Sequence, residues 1–243
     1  MVLGGWEIND SWLMKNNKFF TKDTSAGLDQ KIYRYMDVLE LLAILGGTFS
    51  VRQKGNWIDK RESGDFKAAL YLSVANQPVD KQILDEHNKF CKRIFDSKDM
   101  YASCWTMNET ESMLMWQAYT MKGHGVLIES TIGDFVQSLN LPDFSVMCAP
   151  IRYNNKVYQG MDYYEVLFTK TPYYKDEREF RFYFEPNNKG CFHINPEQML
   201  KKVILNPFLN YQTSATINNI LVARYPFLKN KVCNSKISLN NKI

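Results

Sequence analysis

The sequence predicts an α+β fold, because strands and helices mix along it without strict strand–helix–strand alternation. Two helix starts in the first half carry capping patterns, and strand-like stretches crowd the second half. A third observation sets the scale. With 243 residues, 45% hydrophobic and 23% charged, the chain is long enough to bury one substantial core without disulfides.

Residues 1–30 alternate polar and aromatic side chains with no helix or strand period, and read as an irregular arm. Trp6, Trp12, Phe19 and Phe20 are its large apolar groups, which either pack back on the domain or dock on a partner. Residues 31–239 read as a single catalytic-type domain and residues 240–243 as a frayed tail.

Lys31–Tyr35 is the first expected strand. Asp37 then caps a helix, with Glu40 placed to reach back, and Val38, Leu41, Leu42 and Leu45 form its apolar face. Gly46-Gly47 stops it, because glycine takes the left-handed conformation at a helix end, and Thr48–Val51 is the next strand. The spacing of Ile83, Leu84, His87, Phe90, Cys91, Ile94 and Phe95 predicts an amphipathic helix over 80–96, with His87 in its apolar stripe. Tyr101–Thr106 reads as a strand. Asn108 and Glu111 form a second capping box for a helix running to about Met121, on which Met115 and Tyr119 share one face. Strands are expected at 126–129, 144–153, 178–184, 191–194, 203–205 and 232–239. Helices are expected at 131–139, 162–168 and 212–223, with Asn195-Pro196 starting another.

Composition excludes several classes. The five cysteines are an odd number without a CxxC pair, and the three histidines are dispersed, which argues for reduced thiols and against a zinc site. No apolar run approaches the roughly 20 residues of a membrane span, and the start lacks a basic, apolar leader, so a soluble cytoplasmic protein is expected. A net charge of +4 allows nucleic-acid binding without demanding it. There is no G-x-x-x-x-G-K-[ST], G-x-G-x-x-G or G-x-S-x-G.

Chemistry concentrates in a few motifs. In Glu177-Arg178-Glu179-Phe180-Arg181, strand alternation puts Glu177, Glu179 and Arg181 on one face, where neighbouring carboxylates need a cation. Tyr33-Arg34-Tyr35 sets a cation in an otherwise apolar strand, where burial requires an anionic partner: a diphosphate or the carboxylate of Glu179. Trp116 and Tyr119 lie near one another on the second capped helix, as core or as walls of a pocket. Asp59, Glu62, Glu177, Glu179 and Lys170 could instead assemble a magnesium nuclease, although the spacing does not demand it.

Together these motifs resemble a large bacterial family catalogued as a domain of unknown function. The matching segments are Tyr33-Arg34-Tyr35, Ile44-Leu45-Gly46-Gly47, Trp57 to Glu62, Cys104-Trp105-Thr106, Met115-Trp116-Gln117-Ala118-Tyr119, Glu177 to Arg181 and Val203 to Pro207. The loop lacks the family's proline and phenylalanine, and Asn206 stands where glycine is usual. A more distant resemblance is to ADP-ribosyltransferases, through Arg34 on the first strand, the following helix and the late E-x-E strand. That resemblance implies two small packed sheets flanked by helices, with Arg34 and Glu179 in one cleft. It implies NAD as substrate and no metal. Glu179, Glu177 and Arg34 would be catalytic, and Arg34, Tyr35, Trp116, Tyr119 and Arg181 would hold the dinucleotide. It further implies a bacterial toxin or anti-phage effector acting on a nucleic acid or protein acceptor, with an antitoxin or chaperone partner. A non-catalytic nucleotide- or protein-binding module is the alternative, in which Arg34 and Glu179 merely pair.

Overall fold

The computed structural model describes four short strands, Val2–Leu3 (β1), Trp6–Glu7 (β2), Leu13–Lys15 (β3) and Phe19–Thr21 (β4), together with residues 27–53, 101–120, 124–142, 145–154, 167–184 and 190–237. Lys31–Asp37 (β5), Val38–Leu45 (α1), Thr48–Ser50 (β6) and Arg52–Gln53 (β7) come first in the longer stretches. Next are Tyr101–Thr106 (β8), Met113–Tyr119 (α2), Gly125–Thr131 (β9), Ile132–Ser138 (α3), Val146–Pro150 (β10), Arg152–Tyr153 (β11) and Thr169–Lys170 (β12). A 3-10 helix, Pro172–Glu177, leads into Glu179–Phe184 (β13). The chain ends with Cys191–His193 (β14), Pro196–Met199 (α4), Lys202–Leu205 (β15), Tyr211–Arg224 (α5) and Val232–Asn234 (β16). The mixed α+β class is therefore as the sequence predicts.

The sheet architecture is not. One ten-stranded sheet runs β16-β15-β9-β5-β8-β13-β10-β4-β3, with β7 beside β8, where two small packed sheets were expected. The reason is that β5, β8, β9 and β13 pair directly with one another and leave no break at which a second sheet could start. The sheet is mostly antiparallel, with parallel pairs at β10–β4 and β15–β16. A two-stranded ribbon, β6 with β14, packs on one face through Phe49 and Phe192.

Residues 1–30 differ as well. Phe19–Thr21 adds in parallel to Val146–Cys148, and Leu13–Lys15 adds antiparallel to it, so this segment extends the main sheet rather than forming an irregular arm.

The two sheet faces have different jobs. Ile32 and Met36 of β5, Trp105 of β8 and the phenylalanines 180, 182 and 184 of β13 join Leu41, Ile44, Phe135 and Val136 of the flanking helices in the main core. Each such side chain, fully buried, contributes roughly 1.5–3 kcal/mol. The opposite face carries a smaller cluster of Tyr33, Tyr35, Leu127, Ile204 and Trp116 of α2.

Local chemistry accounts for the boundaries. Asp37 caps α1 by accepting from the Glu40 N–H at 2.9 Å, and Gly47 takes φ 85° just beyond its end. The second expected cap is corrected. Ser112, not Asn108, caps α2, because Asn108 donates its side-chain amide to the Asp176 carbonyl and Glu111 turns to Trp116 and Ser235. The expected strand 144–153 divides at Ile151, whose N–H donates to the Glu179 carbonyl while β11 turns to pair with β12. Gly125 starts β9 where any Cβ would collide with the Thr120 side chain. The helix expected over 80–96 with His87, the Trp57–Glu62 segment with Asp59 and Glu62, residues 162–166 of the helix expected over 162–168, and the 240–243 tail lie outside the described residues.

Candidate functional site

Alternation along β13 sends Phe180, Phe182 and Phe184 into the main core and leaves Glu179, Arg181 and Tyr183 on the opposite face. Cross-strand register then aligns a polar row there. Lys202 opposes Glu129, Glu129 opposes Tyr33, Tyr33 opposes Thr106, and Thr106 opposes Glu179. Directly opposed residues share a face, so the row crosses five strands near one end of the sheet.

Glu179 is the most constrained member. Its Oε1 accepts from Arg181 Nε at 2.6 Å and its Oε2 from Lys170 Nζ at 3.2 Å. All three side chains are buried, at 4%, 2% and 8% exposure. Burial pushes the carboxyl up, but Arg181, Lys170 and the Cys104 thiol outweigh it and hold Glu179 at about 2. Glu179 is thus an anion at every physiological pH.

Glu177 joins the cluster from outside the strand. It ends the 3-10 helix, and Arg178 follows in the left-handed region at φ 42°. That one residue reverses the chain's direction so that Glu177 and Glu179 both reach Lys170. Glu177 Oε2 accepts from Lys170 Nζ at 2.8 Å, and its Oε1 accepts from the Tyr119 hydroxyl at 2.8 Å. Thr106 Oγ1 donates to the Glu177 carbonyl, and the Met107 N–H donates to the Arg178 carbonyl, which pins the reversal. The Tyr153 hydroxyl accepts the Glu179 N–H at 2.7 Å, and Lys170 stands 4.2 Å from the Tyr174 ring centre. Burial first, then nearby carboxylates, raises the Tyr153 phenol to about 12 and pushes the Tyr119 phenol up further. Both therefore stay protonated.

The site residues expected from sequence divide into two groups. Glu177, Glu179, Arg181 and Tyr119 meet in one cluster. Arg34 does not. It alternates with Ile32 and Met36, so its side chain lies on the main-core face, across the sheet from Glu179, and the expected shared cleft is absent. Arg34 donates to Ser103 Oγ at 2.8 Å, approaches Glu40 at 3.4 Å and stacks 5.6 Å from the Phe49 ring centre. Tyr35 and Trp116 face the cluster's side but are packed edge-to-face at 5.1 Å, and Trp116 is 0% exposed. Tyr35 accepts the Ser112 N–H, and Trp116 donates to Glu111, so both are core rather than stacking platforms. Arg181 spends its guanidinium on Glu179 and on the Leu167 carbonyl, which leaves it an anchor for the carboxylate rather than a dinucleotide ligand.

Tyr119, about half exposed, is the aromatic that borders the cluster. No family model, curated protein or solved structure matches the chain. What the site can do therefore rests on its own chemistry.

That chemistry is anionic and fixed. Two carboxylates share one lysine, one carboxylate is deep and permanently ionised, and the other sits nearer solvent at 17% exposure. Two phenols supply hydroxyls that stay protonated. Lys170, Tyr153 and Tyr174 were not read as one site from sequence. Lys170 is grouped with Glu177 and Glu179 from sequence as part of a possible nuclease set, and the two tyrosines carry no signal beyond Tyr173-Tyr174 following Pro172. Among the described residues no three His, Cys, Asp or Glu side chains converge as a metal site would require, and no helix is long and apolar enough to cross a membrane.

Proposed function

We propose that the protein cleaves the nicotinamide–ribose bond of NAD and transfers ADP-ribose, with Glu177 and Glu179 as its working carboxylates. The supporting observation is that Glu179 is held at about 2 beside a second, more open carboxylate. Breaking that bond leaves positive charge on the ribose and expels nicotinamide as a neutral molecule. The leaving group needs no proton, and a carboxylate held as an anion, as Glu179 is, suits this reaction. Ordinary glycosides differ, because their leaving oxygen must be protonated by a carboxylic acid. A fixed anion that stabilises a developing cation is worth several kcal/mol in a water-poor site.

In this reading Glu177 meets the ribose and Tyr119 orients Glu177. Glu179 fixes Lys170 and supplies charge from below. Arg34 takes no part, because it lies across the sheet. Lys175 and Arg178, exposed beside Glu177, are the cations available to a diphosphate. The acceptor is a nucleic acid or a protein. Transfer to such targets inside a bacterium would make the protein a toxin or anti-phage effector, kept in check by a neutralising partner.

A second reading is favoured by the balance of charge. Lys170 and Arg181 offset Glu177 and Glu179, as they would in a purely structural cluster of a binding module. Nicotinamide release from NAD, followed chromatographically with and without cell extract, separates the two. Wild type should release nicotinamide in excess EDTA, and Glu177→Gln should release it roughly a hundredfold more slowly. Equal release by Glu177→Gln and wild type, or none from wild type with any extract, would leave the binding module. Nucleic-acid degradation dependent on magnesium would point to a nuclease instead.

A further inference from the structure

Arg34 is a buried cation whose bonding is incomplete. Its side chain is 13% exposed, and its Nε carries a buried N–H with no hydrogen-bond partner. Nη1 is used by Ser103 Oγ at 2.8 Å and, more distantly, by the Cys104 carbonyl at 3.5 Å. Among the described residues, the adjoining Nε–Nη2 edge is met by Glu40, 3.4 Å from Nη2. Glu40 is a third exposed, and one oxygen of the neighbouring Asp37 carboxylate is engaged in capping α1. A buried donor left unpaired costs about 1–3 kcal/mol, so a planar bidentate acceptor on that edge would recover it.

Arg34 and Glu40 both line a cleft of about 230 Å³. Met36, Leu39, Ala43, Ile44 and Phe49 give it mostly apolar walls, and Asp37, Glu40 and Ser50 stand with Arg34 as its polar groups. The volume lies below the ~300–1,000 Å³ of pockets for drug-sized ligands, so the cleft suits a smaller molecule. Its charge selects further. Two carboxylates beside one guanidinium repel a phosphate dianion more than a single negative charge.

We propose that this cleft binds a small organic monocarboxylate. The acid group takes the Nε–Nη2 edge of Arg34, displacing Glu40, and the apolar body lies along Met36, Ala43, Ile44 and Phe49. The site is on the main-core face, across the sheet from Glu177 and Glu179, and does not rest on the NAD reading.

Calorimetric titration of the full chain with butyrate, hexanoate and benzoate tests this, with hexanol, inorganic phosphate and NAD as controls. At least one of the acids should bind saturably at one site in the millimolar range or better, and hexanol and phosphate roughly tenfold more weakly. Ala43→Trp, which fills the cleft from an exposed helix position, should weaken the acid at least roughly tenfold, as should Arg34→Met. Glu40→Gln should tighten it by removing the competitor. Should Arg34→Met fail to fold, Ala43→Trp and Glu40→Gln still decide. Absence of saturable binding by all three acids would overturn the proposal, as would equal binding to wild type and Ala43→Trp. Tighter binding of phosphate or NAD at this cleft would also overturn it.

Discussion

Replacing Glu179 with glutamine keeps the side chain's shape and removes its charge. Lys170 keeps Glu177 at 2.8 Å, whereas Arg181 loses the charge of Glu179 and keeps its bonds to the Leu167 carbonyl and the Tyr183 hydroxyl. The magnitude follows from linkage. Glu179 sits at about 2 in the fold against an ordinary 4.5, and one pH unit is worth ~1.4 kcal/mol, so its ionisation contributes about 3 kcal/mol at neutral pH. The sign follows from the direction. A carboxyl depressed by folding stabilises fully above its unfolded value, and that stabilisation fades as pH falls from 4.5 toward 2. Urea denaturation of wild type and Glu179→Gln should therefore differ by about 3 kcal/mol at pH 7 and by roughly half of that or less at pH 3. A difference that stays constant between those pH values would show that glutamine disturbs packing, and the electrostatic account of the cluster would be refuted.

Tyr119→Phe removes the hydroxyl that holds Glu177 and should slow nicotinamide release by about tenfold or more without a change in melting temperature, read by pairing the release assay with thermal melting. A lowered melting temperature with unchanged release would assign Tyr119 to structure. Gly125→Ala should cost about 1–3 kcal/mol in chemical denaturation, because the new methyl meets the Thr120 side chain and the Met36 carbonyl. A neutral result would mean that Thr120 can move aside. Deleting residues 1–22 removes the strand that pairs with Val146–Cys148, and should yield insoluble or partly unfolded protein by circular dichroism, since an open sheet edge is left. Wild-type folding of the truncated chain would show that this edge is dispensable.

The local part of the fold was readable, and the non-local part was not. Asp37 and Gly47 mark both ends of the first helix because capping acts within a few residues. Alternation in Lys31–Asp37 also separates Arg34 from Tyr33 and Tyr35. Which of those faces holds Glu179 depends on the pairing of Tyr33 with Thr106 and of Thr106 with Glu179, and no short-range pattern encodes that register. Hence the E-x-E carboxylates were found, and Arg34 was placed on the wrong side of them. Lys170 is grouped with both acids in the sequence, but its role as their shared cation depends on a 3-10 helix and a left-handed Arg178 that bring Glu177 back to it. A left-handed arginine has no sequence signature comparable to glycine.

Strand β8 divides one of its edges between two neighbours. Thr106 pairs with β5, while Ala102 and Tyr101 pair with β7, and Arg34 reaches into the interval to Ser103 and the Cys104 carbonyl. A guanidinium thus bridges a stretch where a continuous strand would have laid backbone ladder bonds. Twist accumulates strand by strand in a wide sheet, and a seam of this kind lets the two halves rotate by unequal amounts about a common middle strand. At the sheet's midline, the Tyr33–Thr106 pairing and the Arg34 side chain both tie β5 to β8. Slackening of the two halves, visible as faster amide exchange near residues 103–105, would begin where that side chain lets go.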